Sequence, residues 1–183
     1  TSSIAEALDV QPASVTGMVK RLAEAGFLEH VPYRGVRLTE AGIRAALRIL
    51  RRHRILESYL AQRLGFRWED VHREAERLEH AASDELVERM AAALGNPSHD
   101  PHGAPIPTAT GEIEPTDSFT LAELDPGREG RVRAVRDDDT EGLLLAEAAG
   151  LLPGTMVRVL QRGGPPPFLQ VLVEGSPPRE LSI

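Results

Sequence analysis

Residues 3–38 read SIAEALDVQPASVTGMVKRLAEAGFLEHVPYRGVRL, and this stretch decides the fold of the N-terminal part of the chain. A short helix is predicted over residues 3–9, and a turn that contains Pro12 separates it from a second helix over residues 14–25. Gly26 follows the second helix, as glycine often does at a helix C-terminus. A helix, a tight turn and a helix that opens with small polar residues are typical of a helix-turn-helix motif.

The residues that follow alternate between apolar and polar side chains, which predicts a short β-hairpin. Its arms are residues 27–31 and 36–39, and its basic tip contains Tyr33 and Arg34. A hairpin in this place is the wing of a winged helix. Beyond it, a long helix is predicted over residues 40–63. This helix carries a row of arginines: Arg44, Arg48, Arg51, Arg52 and Arg54.

Charge is divided unevenly along the 183 residues, whose net charge is −7. Residues 1–64 carry 10 Lys/Arg and 6 Asp/Glu, whereas residues 65–117 carry 4 Lys/Arg and 12 Asp/Glu. This asymmetry indicates a polyanionic partner for the N-terminal part and cations for the middle. The chain has no cysteine, which excludes disulfides and thiolate metal sites. No apolar run approaches the roughly 18 residues that a membrane helix needs, so we expect a cytoplasmic protein with no membrane partner.

Residues 72–80, HREAERLEH, place four ionisable residues on one stripe of a helix predicted within residues 68–94. These four are His72, Glu76, Glu79 and His80. Two neighbouring carboxylates on a helix repel each other, and a divalent cation between them turns that repulsion into binding. The preceding helix offers His53 and Glu57, also one turn apart, and imidazole with carboxylate suits Mn(II), Fe(II), Co(II) and Zn(II). The alternative is a solvated helix face that binds no metal.

Motifs for catalysis are missing from the sequence. No His-Glu-x-x-His occurs, Glu76 is followed three residues later by Glu79 rather than by histidine, and there is no glycine-rich phosphate loop. We therefore predict that the chain is not an enzyme. A winged-helix repressor with a structural zinc site and another effector is one alternative, although such sites normally use cysteine. A metal carrier that does not touch DNA is another, and the helix-turn-helix motif disfavours it.

Composition changes twice in the C-terminal half. Residues 95–118 are rich in Pro, Gly, Thr and Ser, which predicts an irregular linker. Short alternating strands follow at residues 130–135, 156–160 and 168–173, with a helix at residues 143–149. Short strands joined by glycine turns predict a small β-barrel of about 60 residues.

Four segments resemble the diphtheria-toxin-repressor family of metal-dependent transcriptional regulators: SIAEALDVQPASVTGMVKRLAEAGFLEHVPYRGVRLTEAG, RRHRILESYL, VHREAERLEHAASDELVERM and DPHGAPIP. The PASVT, YRG and LT elements, together with Glu76, Glu79 and His80, are most similar to the manganese transport regulators of that family. The resemblance implies a mainly α fold with a winged helix-turn-helix domain and an α-helical dimerisation domain. The C-terminal residues resemble the family's SH3-like (FeoA-like) domain, a small β-barrel.

The implied domains are a DNA-binding domain over residues 1–64 and a metal-binding and dimerisation domain over residues 65–107. A linker over residues 108–118 leads to the SH3-like domain over residues 119–183. A winged helix normally has one more helix before the two predicted above. We therefore expect that helix upstream of residue 1.

The resemblance also implies two metal sites. The residues of its primary site are Glu76, Glu79 and His80, with a further ligand from the expected upstream helix. Those of its ancillary site are His53, Glu57 and His72, to which the SH3-like domain adds an acid in longer members. Asp139 is the nearest match for that acid, and Glu141 is the second choice. Iron-sensing members carry cysteine in place of Glu76, and a carboxylate ligand favours Mn(II) over Fe(II), although Co(II), Ni(II), Zn(II) or Cd(II) are expected to substitute in vitro.

On DNA, the resemblance places the start of the second helix against base edges and the wing against the backbone. The base-facing residues are Gln11, Pro12, Ala13, Ser14 and Thr16. The residues that contact the backbone are Lys20, Tyr33, Arg34 and Arg37. A homodimer would bind a palindromic double-stranded operator. The implied function is a manganese-dependent repressor of metal-uptake genes, and an iron-dependent repressor is the alternative within the family.

Overall fold

The computed structural model describes residues 2–31, 35–115, 118–137 and 139–182. Its helices are α1 (Ser2–Ala7), α2 (Pro12–Glu24), α3 (Glu40–Leu64), α4 (Val71–Glu79), α5 (Asp84–Ala93) and α6 (Thr140–Ala149). Its strands are β1 (Leu28–Val31), β2 (Gly35–Leu38), β3 (Glu129–Arg131), β4 (Met156–Gly163), β5 (Phe168–Val173) and β6 (Arg179–Ser182). None of the described helices is long and apolar enough to cross a membrane.

The N-terminal elements form the predicted helix-turn-helix and wing, and we refer to residues 2–31 and 35–38 together as the winged unit. Helix α1 packs on α2, and Ala5 and Val15 are buried between these elements. Strands β1 and β2 pair in antiparallel register, with Leu28 opposite Leu38. The fold class predicted from the sequence is therefore confirmed for this part of the chain, whereas the tip residues Tyr33 and Arg34 lie outside the described residues.

The junction between the winged unit and α3 is held by backbone contacts. The Thr39 side chain accepts a hydrogen bond from the Gly42 N–H at 3.1 Å, which caps α3. The same hydroxyl donates to the Gly26 carbonyl at 2.7 Å, and the Thr39 N–H donates to the Phe27 carbonyl at 3.0 Å. A Cβ added at Gly42 would lie 2.1 Å from the Phe27 oxygen. The winged unit is therefore attached closely to the start of α3.

Gly42→Ala is expected to destabilise the winged unit by roughly 1–3 kcal/mol, the usual cost of overpacking a tight contact. Gly17→Ala in α2 is the matched control, because a Cβ there meets nothing within 4 Å. This control should gain about 0.5–1 kcal/mol from the better helix propensity of alanine. Urea denaturation of both variants checks the pair, and equal stability of Gly42→Ala and the wild type would contradict the described junction.

The arginines of α3 bind acidic partners in the same chain. Arg48 and Arg52 both donate to the Asp84 carboxylate at the start of α5. Arg51 donates to the two Glu88 oxygens at 2.8 and 2.7 Å. These ion pairs join α3 to α5, so the positive charge of these arginines is offset within the chain.

The C-terminal domain is a four-stranded antiparallel sheet in the order β3-β4-β5-β6, with α6 and an apolar core. Val159, Leu169 and Val171 are fully buried in that core. These features confirm the predicted small SH3-like domain. The strand predicted over residues 130–135 is shorter, however, because β3 ends at Arg131 and the following residues turn toward the helical domain. There the Val135 N–H donates to the His102 carbonyl at 2.9 Å.

Candidate metal centre and nucleic-acid interface

His53, on the buried side of α3, is the centre of a polar network between α3 and α4. Its Nδ1 lies 2.9 Å from Glu79 Oε2, and its Nε2 lies 2.9 Å from Glu57 Oε1 and 3.1 Å from His72 Nδ1. Burial disfavours the charged imidazole, but the hydrogen bonds and negative charges of Glu57 and Glu79 outweigh it and raise the pKa of His53 to about 9. The protonated ring therefore supplies positive charge among these carboxylates.

Glu57 is fully buried, although it is a carboxylate in the middle of α3. Burial favours its neutral form, but the hydrogen bond and charge of His53, with help from His102 and His72, lower the pKa of Glu57 below its ordinary value. Its Oε1 contacts both His53 and His72, whereas its Oε2 is buried and has no hydrogen-bond partner. A buried carboxylate oxygen without a partner is costly, and a cation is one way to satisfy it.

We call His53, Glu57 and His72 the His53 cluster, and its donor atoms fit a cation. They lie 2.9 to 3.1 Å from one another. Ligands of one octahedral cation, at bonds of about 2.1 Å, lie about 3 Å apart. Two imidazole nitrogens and a carboxylate oxygen suit Mn(II), Fe(II) and their neighbours in the first transition series. Glu79 is hydrogen-bonded to the other nitrogen of His53. A carboxylate in this position orients a histidine that binds a metal.

A second group of donors, which the sequence analysis missed, shares Glu57 with the His53 cluster. It contains Glu57, Asp100, His102 and Asp137, whose ligand atoms all lie within 4.8 Å of one another. We call this group the buried cluster, because its first three members are buried. It joins helix α3, the turn at residues 100–104 and the first residues after β3.

Unpartnered atoms in the buried cluster point to a cation. His102 Nε2 donates to the Trp68 carbonyl at 2.7 Å, which leaves the Nδ1 lone pair of the neutral ring facing the cluster. His102 Nδ1, Glu57 Oε2 and Asp100 Oδ2 are all buried without a hydrogen-bond partner. Arg54 Nε lies 3.3 Å from Asp100 Oδ2 and offsets part of its charge. Three unpartnered buried acceptors on members of one cluster fit a bound cation better than bound water alone, because no buried donor of the group remains.

The turn at residues 100–104 positions two of these donors. Asp100 Oδ1 accepts from the N–H groups of His102 and Ala104, each at 2.9 Å, which leaves Oδ2 facing the cluster. Burial and the nearby Glu57 raise the pKa of Asp100 above its ordinary value, despite the hydrogen bond from Ala104. The sequence contained a weak signal for this site in His99-Asp100-Pro101-His102, but the segment was predicted to be linker on its composition.

Asp137 enters the buried cluster because the SH3-like domain packs against this turn. A Cβ added at Gly103 would lie 2.1 Å from the Arg133 oxygen, so the two backbones touch. Arg133 also donates to Glu114 at 2.6 Å. These contacts place Asp137 Oδ2 3.9 Å from both His72 Nδ1 and His102 Nδ1.

The other predicted metal ligands are not members of these clusters, although Glu76 and Glu79 adjoin the His53 cluster. The His80 side chain is 86% exposed just past the end of α4, and its Nε2 lies 3.8 Å from Glu79 Oε1. Glu76 is exposed, with Oε1 3.7 Å from His72 Nε2. Asp139 caps α6 by accepting from the Glu141 N–H at 3.0 Å, and both of these side chains are exposed. Glu76, Glu79 and His80 are thus neighbours on one surface, whereas Asp139 and Glu141 face away into a helix start.

The predicted DNA contacts on α2 are exposed. They are Gln11, Pro12, Ala13, Ser14 and Thr16. Thr16 donates to the Pro12 carbonyl at 3.0 Å, Lys20 lies 3.9 Å from Glu24, and Arg37 binds Glu29 across the hairpin at 2.8 Å. Exposed ion pairs of this kind contribute at most about 1 kcal/mol, so they do not prevent contact with phosphate.

Three stretches of the chain match known domain families. Residues 1–36 match the N-terminal DNA binding domain of the iron dependent repressors. Residues 39–108 match the metal binding and dimerisation domain of the same proteins, and residues 119–177 match the FeoA domain.

Individual relatives agree with these matches. The diphtheria toxin repressor of Corynebacterium efficiens is 30% identical over 171 residues, which cover 88% of this chain and 74% of that protein. The iron-dependent repressor IdeR of Mycobacterium tuberculosis is 39% identical over 104 residues, which cover 57% of this chain. The match covers only 45% of that mycobacterial protein, less than half of its length.

Solved structures extend the likeness over nearly the whole chain. A manganese-dependent transcriptional repressor in complex with manganese has a TM-score of 0.90 at 37% identity, over 98% of this chain and 83% of that one. The structure of ScaR with bound Cd2+ has a TM-score of 0.83 at 32% identity, over 99% of this chain and 84% of that one. The family matches, the identity to the diphtheria toxin repressor and these structures together show that the chain belongs to the diphtheria-toxin-repressor family.

Proposed function

We propose that the chain is a metal-dependent DNA-binding transcriptional regulator that represses metal-uptake genes when Mn(II) is plentiful. The observation that carries the proposal is the position of the donors. The His53 cluster and the buried cluster lie where α3 meets α4 and the SH3-like domain, and α3 begins at the winged unit. Metal occupancy at that junction would therefore bias the placement of the DNA-binding elements.

Mn(II) is the proposed ion because every donor is nitrogen or oxygen and the chain has no thiolate to offer. A bound divalent cation would supply the positive charge that the carboxylates at this junction lack. The similarity to a manganese-dependent repressor supports the choice, and the similarity to IdeR keeps Fe(II) as the alternative. Because Mn(II) is the weakest binder of the first-row series, Co(II), Ni(II), Zn(II) and Cd(II) should also bind in vitro.

We assign the ligands as follows. The ancillary site consists of His53, Glu57 and His72, and the acid from the SH3-like domain is Asp137 rather than Asp139 or Glu141. Asp100 and His102 hold a second ion with Glu57. Glu76, Glu79 and His80 remain the proposed primary site. The exposed side chains of Glu76 and His80 are free to turn toward an ion beside the half-buried Glu79, which fits a site that forms only when metal binds.

The response to metal would pass through α3. In the described arrangement, His53 and Glu57 lie in the middle of this helix, while Thr39 and Gly42 join its start to the winged unit. Without bound metal, repulsion among the carboxylates would loosen the contact of α3 with α4 and with the SH3-like domain. Bound metal would remove that repulsion and restore one arrangement. Such a population shift needs the DNA-competent arrangement to bind metal more tightly than the other arrangements do.

DNA recognition would use a homodimer. Two copies related by a two-fold axis place two α2 helices on a palindromic operator, one turn of the duplex or a multiple of it apart. The exposed start of α2, from Gln11 to Ser14, would face base edges. Its short side chains favour recognition of DNA shape as well as of base edges.

Lys20→Gln is expected to weaken DNA binding about equally for all sequences and to lower the slope of log K against log salt by roughly 0.9, the value for one phosphate contact. The matched control is Arg128→Gln, which removes one exposed positive charge from the SH3-like domain, far from α2 in the sequence. Fluorescence anisotropy at several salt concentrations measures both slopes. An unchanged slope for Lys20→Gln would remove Lys20 from the proposed interface.

The experiment for the proposed function is anisotropy of a labelled duplex enriched from a random pool by the Mn(II)-bound protein. At one stated salt concentration, Mn(II) should tighten binding about tenfold or more, and a chelator should reverse the effect. Glu76→Ala combined with Glu79→Ala should abolish the gain. DNA binding with the same affinity in the presence and absence of metal would favour a winged-helix repressor with a different effector. Failure to enrich any duplex would favour a metal carrier.

A further inference from the structure

Glu57 belongs to both clusters. Oε1 lies 2.9 Å from His53 Nε2 and 3.1 Å from His72 Nδ1, which makes it part of the His53 cluster. Oε2 is buried without a hydrogen-bond partner, and Glu57 is also a member of the buried cluster. A carboxylate that belongs to two donor sets and keeps one unpartnered oxygen is placed to bind two cations at once.

Asp137 occupies a second position between the clusters. Its Oδ2 is 3.9 Å from His72 Nδ1 in the His53 cluster and 3.9 Å from His102 Nδ1 in the buried cluster. The two imidazoles therefore flank one carboxylate from the SH3-like domain. Together with Glu57, this residue makes a pair of acids shared by both donor sets.

The local charge is negative and therefore favours bound cations. The carboxylates around the clusters are those of Glu57, Glu79, Asp100 and Asp137, and Arg54 lies beside Asp100. Four ionised carboxylates and one guanidinium leave three negative charges, so a single divalent cation leaves one negative charge. A second divalent cation would leave one positive charge instead, so a largely buried site comes equally close to neutrality with one ion or with two, and the shared acids favour two.

We infer that the two clusters form one dinuclear centre, in which a pair of divalent cations shares Glu57, and Asp137 serves as the second common ligand. The inference rests on the proposed function only in that both use the His53 cluster as a metal site. The SH3-like domain takes part through Asp137, and its docking is then coupled to the loading of both ions.

Electron paramagnetic resonance of the full chain with Mn(II) tests the pairing, because two Mn(II) ions that share a carboxylate are magnetically coupled and isolated ions are not. The experiment uses the wild type and a Glu76→Ala, His80→Ala variant, which removes the exposed stripe as a source of isolated signal. Both should show the spectrum of a coupled pair at saturating Mn(II). Isolated-ion spectra alone in the wild type at saturation would overturn the inference, and this outcome does not depend on any variant folding.

Asp100→Asn refines the test, because it weakens only the buried cluster. It should lose at least one bound Mn(II) per chain and convert the coupled spectrum into that of isolated ions. Asp125→Asn, an exposed carboxylate in the SH3-like domain, is the matched control and should keep the coupled spectrum. Coupled spectra in Asp100→Asn would contradict the assignment. A coupled pair in a protein that binds no DNA would refute the proposed function alone, whereas metal-dependent DNA binding with isolated ions would refute only the dinuclear centre.

Discussion

Glu57→Gln is expected to lower the affinity of the chain for Mn(II) by roughly 100-fold or more, since loss of an outer-shell partner alone lowers metal affinity 10–100-fold. The substitution keeps the size of the side chain and removes its charge. Glu57 is fully buried and contacts His53 and His72 through Oε1. One neutral amide would therefore weaken both clusters, while the fold loses little volume.

Isothermal titration calorimetry with Mn(II) measures this effect directly. Glu40→Gln is the control on the same helix, because the Glu40 side chain is 92% exposed and belongs to neither cluster. We expect the control to bind Mn(II) like the wild type. Equal affinities for Glu57→Gln and Glu40→Gln would contradict the assignment of Glu57 as a metal ligand.

Gly103→Ala is expected to release the SH3-like domain from the turn at residues 100–104. The added Cβ would lie 2.1 Å from the Arg133 oxygen, and Gly103 has a φ of +89°, where a side chain is strained. The backbone strain alone costs roughly 1–3 kcal/mol. Relief of the clash moves the segment after β3, which carries Asp137, away from His72 and His102. The variant should therefore bind Mn(II) more weakly as well as unfold more easily.

Gly111→Ala separates the effect of the backbone strain from the effect of the clash. Gly111 has a φ of +84°, but a Cβ there meets nothing within 4 Å. This control carries nearly the same backbone strain without the clash, so it should lose stability and keep the wild-type Mn(II) affinity. Thermal unfolding and Mn(II) titration of both variants make the comparison. If the two variants had the same Mn(II) affinity, the close contact between Gly103 and Arg133 would not hold Asp137 in place.

Local sequence signals predicted the elements whose structure is decided locally. The helix-turn-helix, the hairpin and α3 follow from apolar periodicity, from Thr39 as a cap and from glycines at helix ends. The boundaries of α3 differ from the prediction by one residue, at Leu64. The ion pairs of the α3 arginines could not be predicted, because their partners, Asp84 and Glu88, lie on a different helix.

The donor clusters could be predicted only in part. His53, Glu57 and His72 stand out because imidazole and carboxylate recur at helical spacing and because the segments resemble a known family. Asp100 and His102 lie in a stretch rich in Pro and Gly, and only long-range packing buries them. Asp137 differs from Asp139 because the Gly103 contact brings it to the turn. The burial of a polar turn depends on tertiary packing, which cannot be predicted from composition.

We propose that metal binding and DNA binding are coupled, so that each tightens the other by the same free energy. The most direct test measures the Mn(II) affinity of the wild type with and without the selected duplex. Trp68, the chain's one tryptophan, reports on the buried cluster, because its ring centre lies 5.4 Å from that of His102. If Mn(II) tightens DNA binding by about tenfold, the duplex must tighten Mn(II) binding by the same factor. A Mn(II) affinity that is the same with and without DNA would contradict the account.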